Sequence, residues 1–162
     1  MIEFYMGIAE NCAAMSRAVR SKVGTTIVKN DNILSFSWNG TPKNWDNTCE
    51  YREYLPVGTI ITPEVLVEYP YEELTPATNI YLRYKLVTKP EVLHAERNAI
   101  DKIAKSNYSS SGASLFTTHS PCEECAKSIY GAEIIEVYYK YDYRITAGLE
   151  FLEKAGIKIY KV

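Results

Sequence analysis

Apolar residues fall at Ile2, Tyr5, Met6, Ala9, Ala13 and Val19 with helical spacing and no intervening proline, so a helix is expected over residues 2–19. The pattern then changes. Val23-Gly-Thr-Thr-Ile-Val28 and Ile33-Leu-Ser-Phe-Ser-Trp38 are rich in β-branched and aromatic residues, and Lys29-Asn-Asp-Asn32 between them supplies turn chemistry. Together they predict a β-hairpin running into Asn39-Gly-Thr-Pro42. From about 43 to 90 no period holds: Pro56, Pro63, Pro70, Pro76 and Pro90 interrupt a stretch carrying Tyr51, Tyr54, Tyr69, Tyr71, Tyr81 and Tyr84. This reads as an irregular Tyr/Pro-rich insertion. It is too long for a bare loop and is expected to carry a short helix or strand and to pack on the core or on a neighbouring subunit.

After Pro90 the order returns. Val92, Glu96, Ala99, Ile100 and Ile103 share one helix face. Ser114 to Thr118 reads as a strand, Cys122 to Tyr130 as a helix ending at Gly131, and Ile134 to Tyr139 as a strand. Ala147 to Ala155 reads as a helix closed by Gly156, and Ile157 to Val162 as a last strand. The order αββ, insertion, αβαβαβ predicts an α/β fold, a layered sheet with helices on its faces and parallel pairing in its second half. At 162 residues one domain spanning the whole chain is expected.

Composition narrows the classes. Apolar residues make up 46% and charged residues 23%, which excludes a disordered or fibrous chain. No apolar run approaches the ~20 residues needed to span a bilayer. The start, Met1-Ile-Glu-Phe-Tyr-Met6, is acidic where a signal peptide would be basic, so a soluble cytoplasmic protein with no membrane partner is expected, in a host cell if the source is viral. A net charge of −2 offers no footprint for nucleic acid, although a small anion needs only a local basic pocket. Of the four cysteines, Cys122 and Cys125 have metal-chelating spacing, while Cys12 and Cys49 read as ordinary buried thiols in a reducing compartment. The 14 tyrosines suit both interfaces and nucleobase stacking.

His94-Ala-Glu96 and Pro121-Cys-Glu-Glu-Cys125 each open a predicted helix, with the strand Ser114 to Thr118 between them. Neighbouring helix N-termini from a parallel sheet would bring one imidazole and two thiolates together. Three protein ligands with one open position is the arrangement of a catalytic zinc. Helix N-termini favour anions, so both cysteines are expected to ionise readily. Glu96, too close in sequence to His94 to share its vertex, suits a proton carrier. His119 reads as a local hydrogen-bonding residue.

The paired His94-Ala-Glu96 and Pro121-Cys-Glu-Glu-Cys125 motifs resemble those of the zinc-dependent nucleobase and nucleotide deaminases. Val23-Gly24, Trp38-Asn-Gly-Thr-Pro42, Cys49-Glu50 and His94-Ala-Glu-Arg-Asn-Ala-Ile100 are similar to the deoxycytidylate deaminases, including those of phages. The resemblance runs from about Arg20 to the C-terminus, excluding the insertion. It implies a cytidine-deaminase-like three-layer α/β/α fold with a central mixed five-stranded sheet, and hydrolysis of dCMP to dUMP and ammonia, supplying thymidylate synthesis. It implies zinc on His94, Cys122 and Cys125, proton transfer by Glu96, base-edge contacts from Ala95 and Glu96, and the Ser120 carbonyl facing the exocyclic amine. Asn39 would hold the sugar hydroxyl. A cation or hydroxyl from Arg17, Arg20, Ser21 or Lys22 would meet the phosphate, with Tyr141 or Tyr143 closing over base or phosphate. It further implies a homohexamer activated by dCTP with Mg2+ and inhibited by dTTP. The chain departs from the pattern in having no histidine in the insertion, so the second structural zinc of some phage relatives is not expected. It also lacks the cysteine or second arginine often found before Val23. The competing readings are action on another cytosine nucleoside or nucleotide, editing of a base within RNA, and an inactive zinc module; retention of Glu96 argues against the last.

Overall fold

Asn30 and Asp31 both take positive φ, 50° and 59°, the pair of left-handed residues a tight two-residue hairpin turn requires. They join β1 (Gly24–Lys29) to β2 (Asn32–Trp38), as the sequence predicts. The computed structural model describes residues 1–162. Three further strands, β6 (Ser114–His119), β7 (Glu136–Tyr141) and β8 (Lys158–Lys161), complete a sheet of order β2-β1-β6-β7-β8. β1 runs antiparallel to both its neighbours, whereas β6, β7 and β8 are parallel. The parallel half follows from the crossover helices α4 (Glu123–Gly131) and α5 (Ala147–Lys154). β7 begins at Glu136 rather than Ile134, because the chain leaves α4 through Glu133 in the left-handed region (φ 55°) and Ile134 still donates to the Ile129 carbonyl.

Alternation along β1 and β6 sorts the core. Ile27 and Leu115 join Ala99 and Ile103 of α3 (Ala95–Ala104), Ile129 of α4 and Leu152 of α5 in one buried cluster. Val28 and Phe116 point the other way, onto Tyr5, Met6 and Ala9 of α1 (Ile2–Ala14). The result is the three-layer α/β/α architecture with a mixed five-stranded sheet. α1 lies so close that a Cβ on Gly24 would sit 1.9 Å from the Ala9 carbonyl oxygen. α1 stops at Ala14, short of the expected Val19. There Ser16 Oγ donates to the Asn39 carbonyl (2.8 Å) and accepts from Ala18 N (3.2 Å), so a side chain takes over from the helical ladder. No helix is long and apolar enough to cross a membrane.

The 43–90 segment is more regular than its sequence suggests. β3 (Glu50–Tyr54), β4 (Tyr71–Thr75) and β5 (Ile80–Thr88) form an antiparallel sheet of order β3-β5-β4, and α2 (Pro63–Glu68) precedes β4. The prolines lie between these elements, and Pro63 opens α2 behind the Thr62 cap. The strands carry no apolar alternation because neither face is deeply buried; Glu50 is their one buried residue.

Candidate active site

His94 and Cys122 are the N-caps of α3 and α4, with nearly the same extended geometry (φ −71°, ψ 149° and φ −71°, ψ 168°). Two caps side by side direct an imidazole and a thiol to one point. His94 Nδ1 lies 3.5 Å from Cys122 Sγ and 3.3 Å from Cys125 Sγ, one turn further along α4, and the three donor atoms are all within 4.8 Å of one another. A tetrahedral zinc with Zn–S of about 2.3 Å and Zn–N of about 2.0 Å sets its donors about 3.5–3.8 Å apart, so these three fit one ion.

The electrostatics agree. Hydrogen bonding from Cys125, then from His94, lowers the Cys122 thiol to about 4. Cys125 moves the opposite way, raised by the bond to Cys122, by burial and by Glu96. Glu96, only 4% exposed, is raised chiefly by burial, and Cys125 Sγ lies 3.6 Å from its Oε2. Without a cation the first negative charge settles on Cys122 and holds Cys125 protonated, so ionisation of both thiols belongs to the metal-bound pair. Two sulfurs and a buried carboxyl around a single imidazole cannot all carry negative charge together unless a cation joins them, which is the chemistry of a divalent-metal donor set.

α5 braces this corner. A Cβ on Gly148 would lie 2.0 Å from the Pro121 carbonyl oxygen and 2.8 Å from the Cys122 carbonyl carbon, so the two helix starts touch through backbone alone.

A cavity of about 300 Å³ opens over the cluster. Of the residues the sequence singles out, Arg20, Ser21, Asn39, His94, Ala95, Glu96, Ser120, Cys122 and Tyr143 line it, with Cys125 buried behind. Lys22 and Tyr141 do not. Lys22 is exposed to solvent, just ahead of β1. Tyr141 ends β7 with its ring beside His119, 5.4 Å between centroids, and its carbonyl accepts from Ser120 N (2.8 Å). Arg17 lines a neighbouring cavity with Trp38, Trp45 and Lys102. Asn39 is partly committed: Oδ1 accepts from Val23 N and Nδ2 donates to the Ser21 carbonyl, each at 2.8 Å, so one amide N–H is left over. Ser120 Oγ accepts from Tyr143 N at 2.7 Å, tying that tyrosine's backbone to the site. His119 contacts Thr118 Oγ1 at 3.1 Å, and burial lowers its basicity.

Glu50, Thr88 and Arg144 also line the cavity, although the sequence reading gave them no role. Arg20 Nη1 donates to Thr88 Oγ1 (3.2 Å), and the Arg144 guanidinium lies over the Tyr143 ring, 5.9 Å from its centroid. The mouth thus carries two guanidinium groups. The pairing of Cys49-Glu50 was a visible signal for Glu50; Arg144 sits between β7 and α5 with no pattern around it.

Residues 1–141 match the cytidine and deoxycytidylate deaminase zinc-binding region. Deoxycytidylate deaminase of Enterobacteria phage T4 is 31% identical over 158 residues, covering 91% of this chain and 82% of the phage protein. The human deoxycytidylate deaminase is 31% identical over 141 residues, 86% of this chain and 64% of the human one. Among solved structures, the dCMP deaminase of cyanophage S-TIM5 in complex with dCMP and dUMP superposes with a TM-score of 0.75 at 38% identity, covering 99% of this chain and 95% of that one.

Proposed function

Because this chain belongs to the cytidine and deoxycytidylate deaminase family, we propose that it hydrolyses dCMP to dUMP and ammonia. The observation that carries the reading is a buried carboxyl, Glu96, in contact with a His94–Cys122–Cys125 donor cluster at the base of a cavity whose mouth is cationic. The similarity to a solved dCMP deaminase holding both substrate and product supports the choice of dCMP.

His94, Cys122 and Cys125 would hold the zinc, whose bound form supplies a Lewis acid that lowers the pKa of water to about 7. Glu96 accepts a proton from the attacking water and delivers it to the ring nitrogen beside the amine-bearing carbon; it then takes the second proton from the hydroxyl now on that carbon and passes it to the amine, which leaves as ammonia as the carbonyl forms. Its burial, which favours the protonated carboxyl, suits the donating half of that cycle. The Ser120 carbonyl, which accepts no backbone hydrogen bond, receives the exocyclic amine, and Ala95 meets the opposite base edge. The free N–H of Asn39 reaches the sugar hydroxyl. Arg20 and Arg144, with Ser21 at the same wall, hold the phosphate, and Tyr143 closes over the base.

Ammonia release from dCMP, dCTP, CMP and deoxycytidine tests the reading. Preference for dCMP in the parent, abolished by Glu96→Ala with zinc retained, is the expected result. Turnover of a base in RNA with none of the free compounds would replace it with the editing reading. Activation by dCTP with Mg2+, inhibition by dTTP and a hexameric assembly belong to the same proposal. Saturation curves with each effector and light scattering check them.

A further inference from the structure

One cross-strand pair grips Arg20 at both ends. Glu50, the first residue of β3, and Thr88, the last of β5, face each other in the antiparallel register. Glu50 Oε1 accepts from Val19 N at 3.0 Å and from Arg20 N at 3.1 Å, while Thr88 Oγ1 accepts from Arg20 Nη1 at 3.2 Å. Arg20, Glu50 and Thr88 all line the catalytic cavity. The segment carrying Arg20 lies between α1 and β1 and belongs to neither. Beyond this grip, Asn39 ties it at the Ser21 carbonyl and Val23 N, which leaves Arg20 itself to the strand pair. Glu50 is 7% exposed, whereas the rest of β3 is open or half-open. The one buried position of the three-stranded sheet lies at the end that reaches the site.

Resting on the dCMP reading above, we propose that Glu50 and Thr88 are positioning residues for phosphate recognition, so that the inner end of the 50–88 sheet selects nucleotide over nucleoside through Arg20. A guanidinium on a free stem loses rotamer freedom when an anion docks. Holding its backbone and its Nη1 beforehand removes that loss, and the gain goes only to ligands that carry the anion. Glu50 acts through backbone amides, which any carbonyl-like oxygen in its place would satisfy.

The test is the ratio of kcat/KM for dCMP to kcat/KM for deoxycytidine in the parent, Glu50→Ala, Glu50→Gln and Thr88→Val, with zinc content and melting temperature measured alongside. Competitive inhibition by dUMP and deoxyuridine gives the same ratio at equilibrium. Glu50→Ala is expected to lower the ratio about tenfold or more, through KM for dCMP, because two amides lose their acceptor. Glu50→Gln, whose amide oxygen still accepts both, recovers most of it. Thr88→Val, losing one neutral bond, lowers the ratio about threefold. An unchanged ratio in Glu50→Ala, an equal loss for both substrates, or a Gln variant as impaired as Ala would overturn the proposal. If Glu50→Ala does not fold, an unchanged ratio in Thr88→Val overturns it equally. A parent that leaves dCMP untouched sinks the functional reading first, and is recognised before any variant is made.

Discussion

The two sheets of this protein are held together in different ways. In the five-stranded layer, β1 is buried from Gly24 to Val28 and β6 from Leu115 to Thr118, and the strands are locked by apolar packing against helices on both faces. In the three-stranded sheet, β3 and β4 are mostly open. Ion pairs supply the side-chain contacts there: Arg52 with Glu73, Arg83 with Glu72, and Lys85 with Glu53 of β3 and Glu68 of α2, each at 2.8 Å, beside the stacked Tyr71 and Tyr84 rings. The His94 and Cys122 caps sit against the first. Catalytic geometry tolerates little slack, and only a close-packed layer supplies that stiffness. The second sheet touches the site at one end, where it shapes a wall.

The largest expected effect concerns chemistry confined to the packed layer. Glu96→Gln should reduce kcat by about 10²–10⁴-fold, read by ammonia release, with zinc content and melting temperature near the parent's. Residual activity within a factor of a few would break the assignment of proton transfer to this carboxyl. Next comes packing itself. Leu115→Ala should cost about 2–5 kcal/mol in denaturant unfolding, whereas Leu82→Ala, half-buried on β5, should cost under about 1 kcal/mol; equal losses would erase the contrast between the sheets.

Gly148→Ala is expected to cost about 1–3 kcal/mol, because its Cβ would strike the Pro121 carbonyl. It should also weaken zinc retention during dialysis against a chelator, since the strain falls on the turn leading into Cys122. Unimpaired retention would show that α5 does not brace the donor cluster. The smallest effect is ionic. Added salt screens exposed pairs, so amide exchange should quicken in β4 and β5 and hold steady in β1 and β6. Uniform behaviour would mean that the ion pairs contribute nothing particular to the outer sheet.

Much of the site was legible in the chain because it is built from helix starts. His94, Glu96, Cys122 and Cys125 are brought together by caps that short-range spacing announces, and the order of strands and helices from Ser114 onward follows its apolar period. Lys22 and Tyr141 read as equal to their neighbours Ser21 and Tyr143, because nothing local says which of them faces the cavity. Glu50, Thr88 and Arg144 were harder still. The Arg20–Thr88 contact joins positions 68 residues apart, and the strands between them have no buried face to write a period of two into the sequence.

By itself the sequence determined the order of elements on either side of the 43–90 segment, the hairpin turn, and the two short motifs that place His94, Glu96, Cys122 and Cys125 at helix starts, since each depends on residues within a few positions of one another. The end of α1 at Ala14, the pairing of β3 with β5, the split in acidity between Cys122 and Cys125, and the choice of Arg20 and Arg144 for the cavity mouth were decided only by the tertiary structure. Burial, charge proximity and hydrogen-bond partners at those places come from chain segments far apart in sequence, and such energies exist only once the layers have packed.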